Sequence, residues 1–180
     1  MLKQMVDRWR QSVGDNDVES IAASLGCEEG KTTGCTPEQV MTVASLVQAE
    51  GRGDDMAKIA RVIYNRLQNH DEGTVGKLQI DATVLYALGR DGNSPLTTDE
   101  IESTDSPYNT YMYAGLPPGP IGAPGDEAIQ AALHPADGDW YYYVTVNLAT
   151  GETKFAETYD EFLQYKAEYQ EYCATQSDRC

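Results

Sequence analysis

Residues 36–51 read TPEQVMTVASLVQAEG, and how this stretch folds decides how the rest of the chain is organised. Thr36 can accept from backbone N–H groups ahead of it, Pro37 suits a first helical position and Gln39 completes a capping-box pattern, so a helix begins at 37. Val40, Val43, Ala44 and Val47 then recur at helical spacing, giving an apolar stripe for a core. Glu50 closes the helix on the flank of that stripe, near Val43, neither fully inward nor fully outward.

Working outward, Gly51 and Gly53 mark a corner into a second strong helix, DMAKIARVIYNRLQN, whose apolar face is Ile59, Val62, Ile63 and Leu67. Upstream, Met1, Leu2, Met5, Val6, Trp9 and Val13 fall at near-helical spacing, and NDVESIAASLG reads as a shorter helix. Downstream, LQIDATVLYALGR begins extended and turns helical, with Asp81 expected as the N-cap and Gly89 as the stop. Residues 90–125 read as loop-rich, and SPYNTYMYAGLPPGPIGAPG holds five of the chain's eight prolines, a long loop of the kind that usually carries function. The tail predicts a helix over 126–133, strand WYYYVTVN with alternate aromatics facing the core, a turn at LATG, strand ETKFAE and a final helix opened by Thr158-x-x-Glu161. The fold class expected is α+β: helix-rich through residue 90, with a small antiparallel sheet that includes 140–146 and 152–156. At 180 residues, against a soft prior of roughly 150 per domain, the chain is read as a single domain.

Thirteen basic against 29 acidic residues give a net charge of −16, which repels phosphate backbones and anionic membrane surfaces and argues against nucleic acid as a partner. No apolar run approaches the ~20 residues needed to span a bilayer, so no membrane contact by this segment is expected. The cysteines fall as Cys27 and Cys35 in GCEEGKTTGC and as Cys173 and Cys180 in CATQSDRC, without zinc spacing. Two short local disulfides are the economical reading and imply an extracytoplasmic compartment; pairing between the two clusters and four free thiols stay open as alternatives.

Nucleotide chemistry is not expected, since GRGDD lacks the glycine spacing and lysine of a phosphate loop and follows a helix instead of a strand. His70 and His134 lie in loops and no G-x-S-x-G exists, so a serine triad is not expected either. Acid chemistry remains, and glycoside cleavage is the reaction that runs on carboxyls held among tyrosines and amides. Valines beside Glu50 would desolvate it and favour its protonated form, although an ordinary exposed glutamate at a helix end fits the spacing as well. For Asp81 a capping role is a complete explanation. Tyr108, Tyr111 and Tyr113 suit either stacking on sugar faces or packing of a proline-rich loop, and Asn65 and Asn109 either amide contacts or turns.

Taken in order, VASLVQAEG, ARVIYNRL, LQIDATVLYALG, SPYNTYMYAGLPPGPIGAPG, AIQAALHPA and the YYYVTVN…GETKFAET hairpin resemble the MltG/YceG-like family of endolytic murein lytic transglycosylases. The resemblance implies an enzyme at the outer face of a bacterial cytoplasmic membrane that cuts nascent peptidoglycan between N-acetylmuramic acid and N-acetylglucosamine. It places the catalytic glutamate on Glu50, which would protonate the glycosidic oxygen and then draw the proton from the muramoyl C6 hydroxyl, closing a 1,6-anhydro ring without water, metal or other cofactor. By motif position it also implies Asn65, Gln79, Asp81, Tyr86, Ser106, Tyr108, Asn109 and Thr110 as substrate-binding neighbours, with glycan strands as substrate and cell-wall synthases as candidate partners. Residues 1–36 would then be N-terminal helices and a cysteine loop, and 37–180 the catalytic core. Ile80 and Ala82 stand where the family often shows Thr and Pro, and Gln48 replaces a frequent acid, which touches substrate preference and not the reaction. Because members usually carry a membrane helix and a LysM-like subdomain upstream, the chain is expected to be the catalytic piece of a single-pass anchored parent. A catalytically silent peptidoglycan-binding module is the alternative.

Overall fold

In the computed structural model, residues 13, 18–28, 33–70, 73–92 and 94–176 are described. The helix expected from residues 36–51 is present as α2 (Pro37–Glu50), following α1 (Val18–Ser24). Its start has the reciprocal cap: the Gln39 backbone N–H donates to Thr36 Oγ1, and the Thr36 backbone N–H donates to Gln39 Oε1. Burial runs beyond the four-residue stripe to Thr42, Ser45 and Leu46, so α2 is wrapped nearly all round by α1, α3 (Asp55–Gln68), α4 (Asp81–Ala87) and α6 (Asp126–Leu133). The corner into α3 is tight: a Cβ on Gly51 would lie 2.9 Å from Ile59 Cδ1 and 3.1 Å from Met56 Cγ, and Gly53 sits at φ +54.

On α3, Ile59, Val62, Ile63 and Leu67 are all buried as expected, joined by Met56, Tyr64 and Arg66. One hydrophobic cluster extends from Val13 through α2 and α3 to Leu133. The remainder of the helix expected over 1–13 lies outside the described residues, as do Cys180 and hence the pairing expected for Cys173 with it. Cys27 and Cys35 form the first of the two local disulfides, both sulfurs in buried residues.

Two expectations, for Asp81 and for the start of the last helix, need correction. Asp81 does not cap α4: Ile80 occupies the cap with no side-chain bond, Asp81 is the first helical residue, and its carboxylate turns instead to Tyr111. Residues 90–125 are loop-rich as expected, with one short helix where Thr97 and Glu100 form a capping box that starts α5 (Thr98–Ser103). At the last helix, α7 (Tyr159–Gln176), Thr158 Oγ1 accepts from the Glu161 N–H as expected, but the Glu161 carboxylate reaches back to the Glu157 N–H.

The sheet is one antiparallel pair, β1 (Tyr142–Asn147) with β2 (Glu152–Ala156). Tyr142 pairs with Ala156 and Tyr143 with Phe155, and the register shifts between Thr145 and Asn147 before the turn closes on Gly151, at φ +76. Tyr142 is buried between Arg66, 5.6 Å from its ring, and Phe162 of α7, at 5.4 Å between rings. Tyr143, on the other face of the strand, points to α2. The architecture is α+β, seven helices and a two-stranded sheet among the described residues, none of the helices long and apolar enough to cross a membrane.

Candidate active site

Glu50 is half-buried at the last turn of α2, and the Tyr143 hydroxyl, 93 positions later, donates to its Oε2 at 2.8 Å. Burial pushes the Glu50 carboxyl above its ordinary value of 4.5; the negative charge of Asp81 adds to the rise, while the Tyr143 hydrogen bond and the Arg66 guanidinium oppose it. The net effect favours a carboxyl that holds its proton. Tyr143 is itself pushed well above 10, first by burial and then by the Glu50 charge, so its hydroxyl stays a neutral donor. Oε2 is thus engaged, and among the described residues Oε1 has no hydrogen-bond partner.

Two polar residues of α3 hold the strand that carries Tyr143. Asn65 Nδ2 donates to the carbonyls of Gly138 (3.0 Å) and Trp140 (2.9 Å), and Arg66 Nε donates to that of Tyr141 at 2.6 Å. Arg66 also donates through Nη1 to Leu78 O, tying the segment before α4 to the same buried guanidinium. Burial lowers the Arg66 pKa, and the surrounding tyrosines and Glu50 oppose that fall.

The opposite flank is built from residues 79–83 and 109–111. Thr110 Oγ1 accepts from the Ile80 N–H at 3.0 Å and lies 2.9 Å from Thr83 Oγ1, while Thr110 O accepts from the N–H of Gln79, a non-glycine residue at φ +52. Buried Asn109 donates to the carbonyls of Ile101 and Thr104 and accepts from the Tyr111 N–H. These bonds present the Tyr111 hydroxyl to Asp81 Oδ1 at 2.6 Å. Burial and the Asp81 charge raise the Tyr111 pKa and keep it the donor of that bond. Ser106 Oγ accepts from the Tyr108 N–H, and the Tyr108 ring packs on exposed Tyr86 with centroids 4.8 Å apart.

Glu50 lies where two clefts meet. A cleft of about 1070 Å³ runs between the 50–55 corner and the hairpin end, with Thr145, Thr150 and Thr153 on its far wall. A second, of about 490 Å³, shares Glu50, Gly51, Arg52 and Gly53 with the first and continues past Gln48, Ala49 and Ala82. A third, of about 180 Å³, shares Gln48, Ala49 and Ala82 with the second and ends at Tyr86, Arg90 and Ile121. The three form a series with Glu50 in its interior.

Of the residues singled out by motif position, Glu50, Asp81 and Tyr86 stand along or beside this series. Asn65, Asn109 and Thr110 turn their polar atoms into the protein and hold backbone. The proline run is not the main wall: Pro117, Pro118 and Pro120 line a separate cavity of about 740 Å³ with Cys27, Met41 and Leu67. Sequence reasoning missed Tyr143, Arg66, Arg52 and the threonines of the hairpin end. Arg66 had left a signal, a cation at the next helical position after Ile59, Val62 and Ile63 on the buried face; Tyr143 had none beyond strand alternation.

Residues 1–168 match the pattern of the YceG-like family. An endolytic murein transglycosylase of Bacillus subtilis is 40% identical over 143 residues, covering 78% of this chain and 37% of the relative. Its counterpart in Streptococcus pneumoniae is 33% identical over 143 residues, covering 77% of this chain and 25% of the relative. The crystal structure of a yceG-like protein from Listeria monocytogenes superposes with a TM-score of 0.62 at 38% identity, covering 72% of this chain and 40% of that one. The chain therefore spans 37% and 25% of the lengths of the two relatives, and within that span the agreement is sustained. Sequence pattern, identity and backbone concur: the chain belongs to the YceG-like family.

Proposed function

We propose that this chain is the catalytic part of an endolytic murein transglycosylase and that Glu50 is its single acid and base. The observation that carries the proposal is a half-buried carboxyl inside a groove with one oxygen held by Tyr143 and the other without a partner among the described residues. A groove open on both sides of the acid suits a cut within a glycan strand. Protonated Oε1 gives its proton to the glycosidic oxygen between muramic acid and N-acetylglucosamine, and the C1–O bond breaks with positive charge building at C1. The Glu50 carboxylate so formed takes the proton of the C6 hydroxyl of the same muramoyl residue as O6 closes on C1. The proton count returns to its start and no water enters, so the fragments together weigh what the strand weighed.

The remaining residues take supporting parts in this reading. Burial first and the Asp81 charge second favour protonated Glu50 before the cut, and the hydrogen bond from Tyr143 favours the carboxylate after it. Tyr86 offers an exposed ring to a sugar face at the narrow end, beside Tyr108. Asn65, Gln79, Ser106, Asn109 and Thr110 act as positioning residues that hold the two flanks. The chain would work on peptidoglycan outside the cytoplasmic membrane, where a Cys27–Cys35 disulfide persists, within a longer anchored protein that meets cell-wall synthases.

Digestion of purified glycan strands, with products weighed by mass spectrometry, tests this. The expected result is 1,6-anhydro ends, each lighter by one water than a hydrolytic end, and a loss of about 10²- to 10⁴-fold in Glu50→Gln with the fold intact. Equal digestion by the variant overturns the role of Glu50. Because the chain spans only part of its relatives, a binding-only module is the second reading, and strand binding without anhydro product would select it.

A further inference from the structure

We propose that Arg52 forms a carboxylate-binding subsite beside Glu50, which takes the anionic arm that muramic acid carries on its C3 oxygen: the lactyl carboxylate of a bare strand or a carboxylate of an attached stem peptide. This rests on the transglycosylase reading and adds to it the part of the substrate that decides where along a strand the cut falls.

Arg52 is exposed and lines both clefts that meet at Glu50. It is the one cation in either lining, where the other charged groups are Glu50, Asp55 and Glu127. Among the described residues its guanidinium has no ion pair or side-chain hydrogen bond, although Asp54 and Asp55 follow within three positions. A Cβ on Gly51 would press on Ile59 and Met56, Gly53 turns at φ +54, and Arg52 between them is exposed.

Glycan sugars are otherwise neutral, offering hydroxyls and acetamides. An arginine in a groove for such sugars finds its natural partner only on the muramoyl arm, and the planar fork of a guanidinium suits a carboxylate in two-point contact. The charge of −16 sharpens the need: the field of the whole chain repels an anionic strand, and a cation two residues from the acid counters that repulsion where the muramoyl ring must sit.

The test measures equilibrium binding in a Glu50→Gln background, where strands stay uncut, with and without Arg52→Gln or Arg52→Lys. Three probes are used: peptide-bearing strands, strands stripped of peptides so that lactyl carboxylates are free, and N-acetylglucosamine oligomers, which lack the arm. Arg52→Gln is expected to weaken binding of at least one carboxylate-bearing strand about tenfold, with partial recovery in Arg52→Lys, a difference that shrinks as salt is raised, and oligomer binding within about twofold of the parent. Loss on stripped strands identifies the lactyl group, and loss confined to peptide-bearing strands identifies the stem. Unchanged affinity for both strands, or equal weakening for the oligomers, overturns the proposal. Product analysis of the unsubstituted protein judges the transglycosylase reading separately, since it does not involve Arg52.

Discussion

Glu50 is held in a state that suits proton transfer and costs stability. Its proton affinity is raised by burial and by Asp81, so the folded protein prefers the protonated form more strongly than the unfolded chain does. Below the ordinary value of 4.5 the group is protonated in both states and costs nothing; as pH rises from there to the folded value, the unfolded chain gives up its proton first and stability falls, the loss being complete above the folded value. Glu50→Gln is therefore expected to melt higher than the parent at pH 7, with the gap closing below about pH 4, as calorimetry across pH would show. Removing the Tyr143 hydroxyl acts in the other direction on the same group. Tyr143→Phe deletes the hydrogen bond that favours the carboxylate, so the high-pH limb of activity should move to higher pH while the rate falls about tenfold. A variant that lost rate with an unmoved limb would show Tyr143 to be packing alone.

At the scale of elements, α3 works as a clamp as much as a core helix. One face builds the apolar cluster, and Asn65 and Arg66 hold the 138–141 segment that leads into β1. Asn65→Ala would leave two carbonyls without their donor, and we expect a loss of about 1–3 kcal/mol in denaturant unfolding, with activity falling because Tyr143 is no longer held. This division explains what the sequence made legible. Helices α2 and α3 follow from capping and periodicity, which are local; spacing left Glu50 open between an ordinary helix-end glutamate and an acid, and only the family resemblance singled it out. The Asp81 cap failed because the helix has Ile80 at its cap, and the Asp81 carboxylate accepts instead from Tyr111, thirty positions away. No local pattern could tell that Asn109 and Thr110 face inward, since their partners at 101, 104 and 80–83 are brought close only by the fold. The disulfide belongs to this scale as well: it closes a loop of eight positions, and Cys27→Ala with Cys35→Ala should cost about 2–3 kcal/mol, read as a lower melting temperature.

At the scale of the molecule, charge governs encounter. On the proposed function, peptidoglycan that carries free carboxylates would approach a protein of net charge −16, and the two would repel until salt screens them over a Debye length of about 8 Å at physiological strength. Association with such strands should accelerate as salt rises from about 10 to about 150 mM, whereas N-acetylglucosamine oligomers should associate at an unchanged rate; stopped-flow fluorescence would separate the two. A last consequence belongs to the 93-position span between Glu50 and the tyrosine that holds it. A chain delivered from its N-terminus exposes its acid to open water, at the strength of any other glutamate, until the late hairpin arrives to enclose it. On the function proposed above, the proton transfer assigned to Glu50 becomes available only once that hairpin has folded against it.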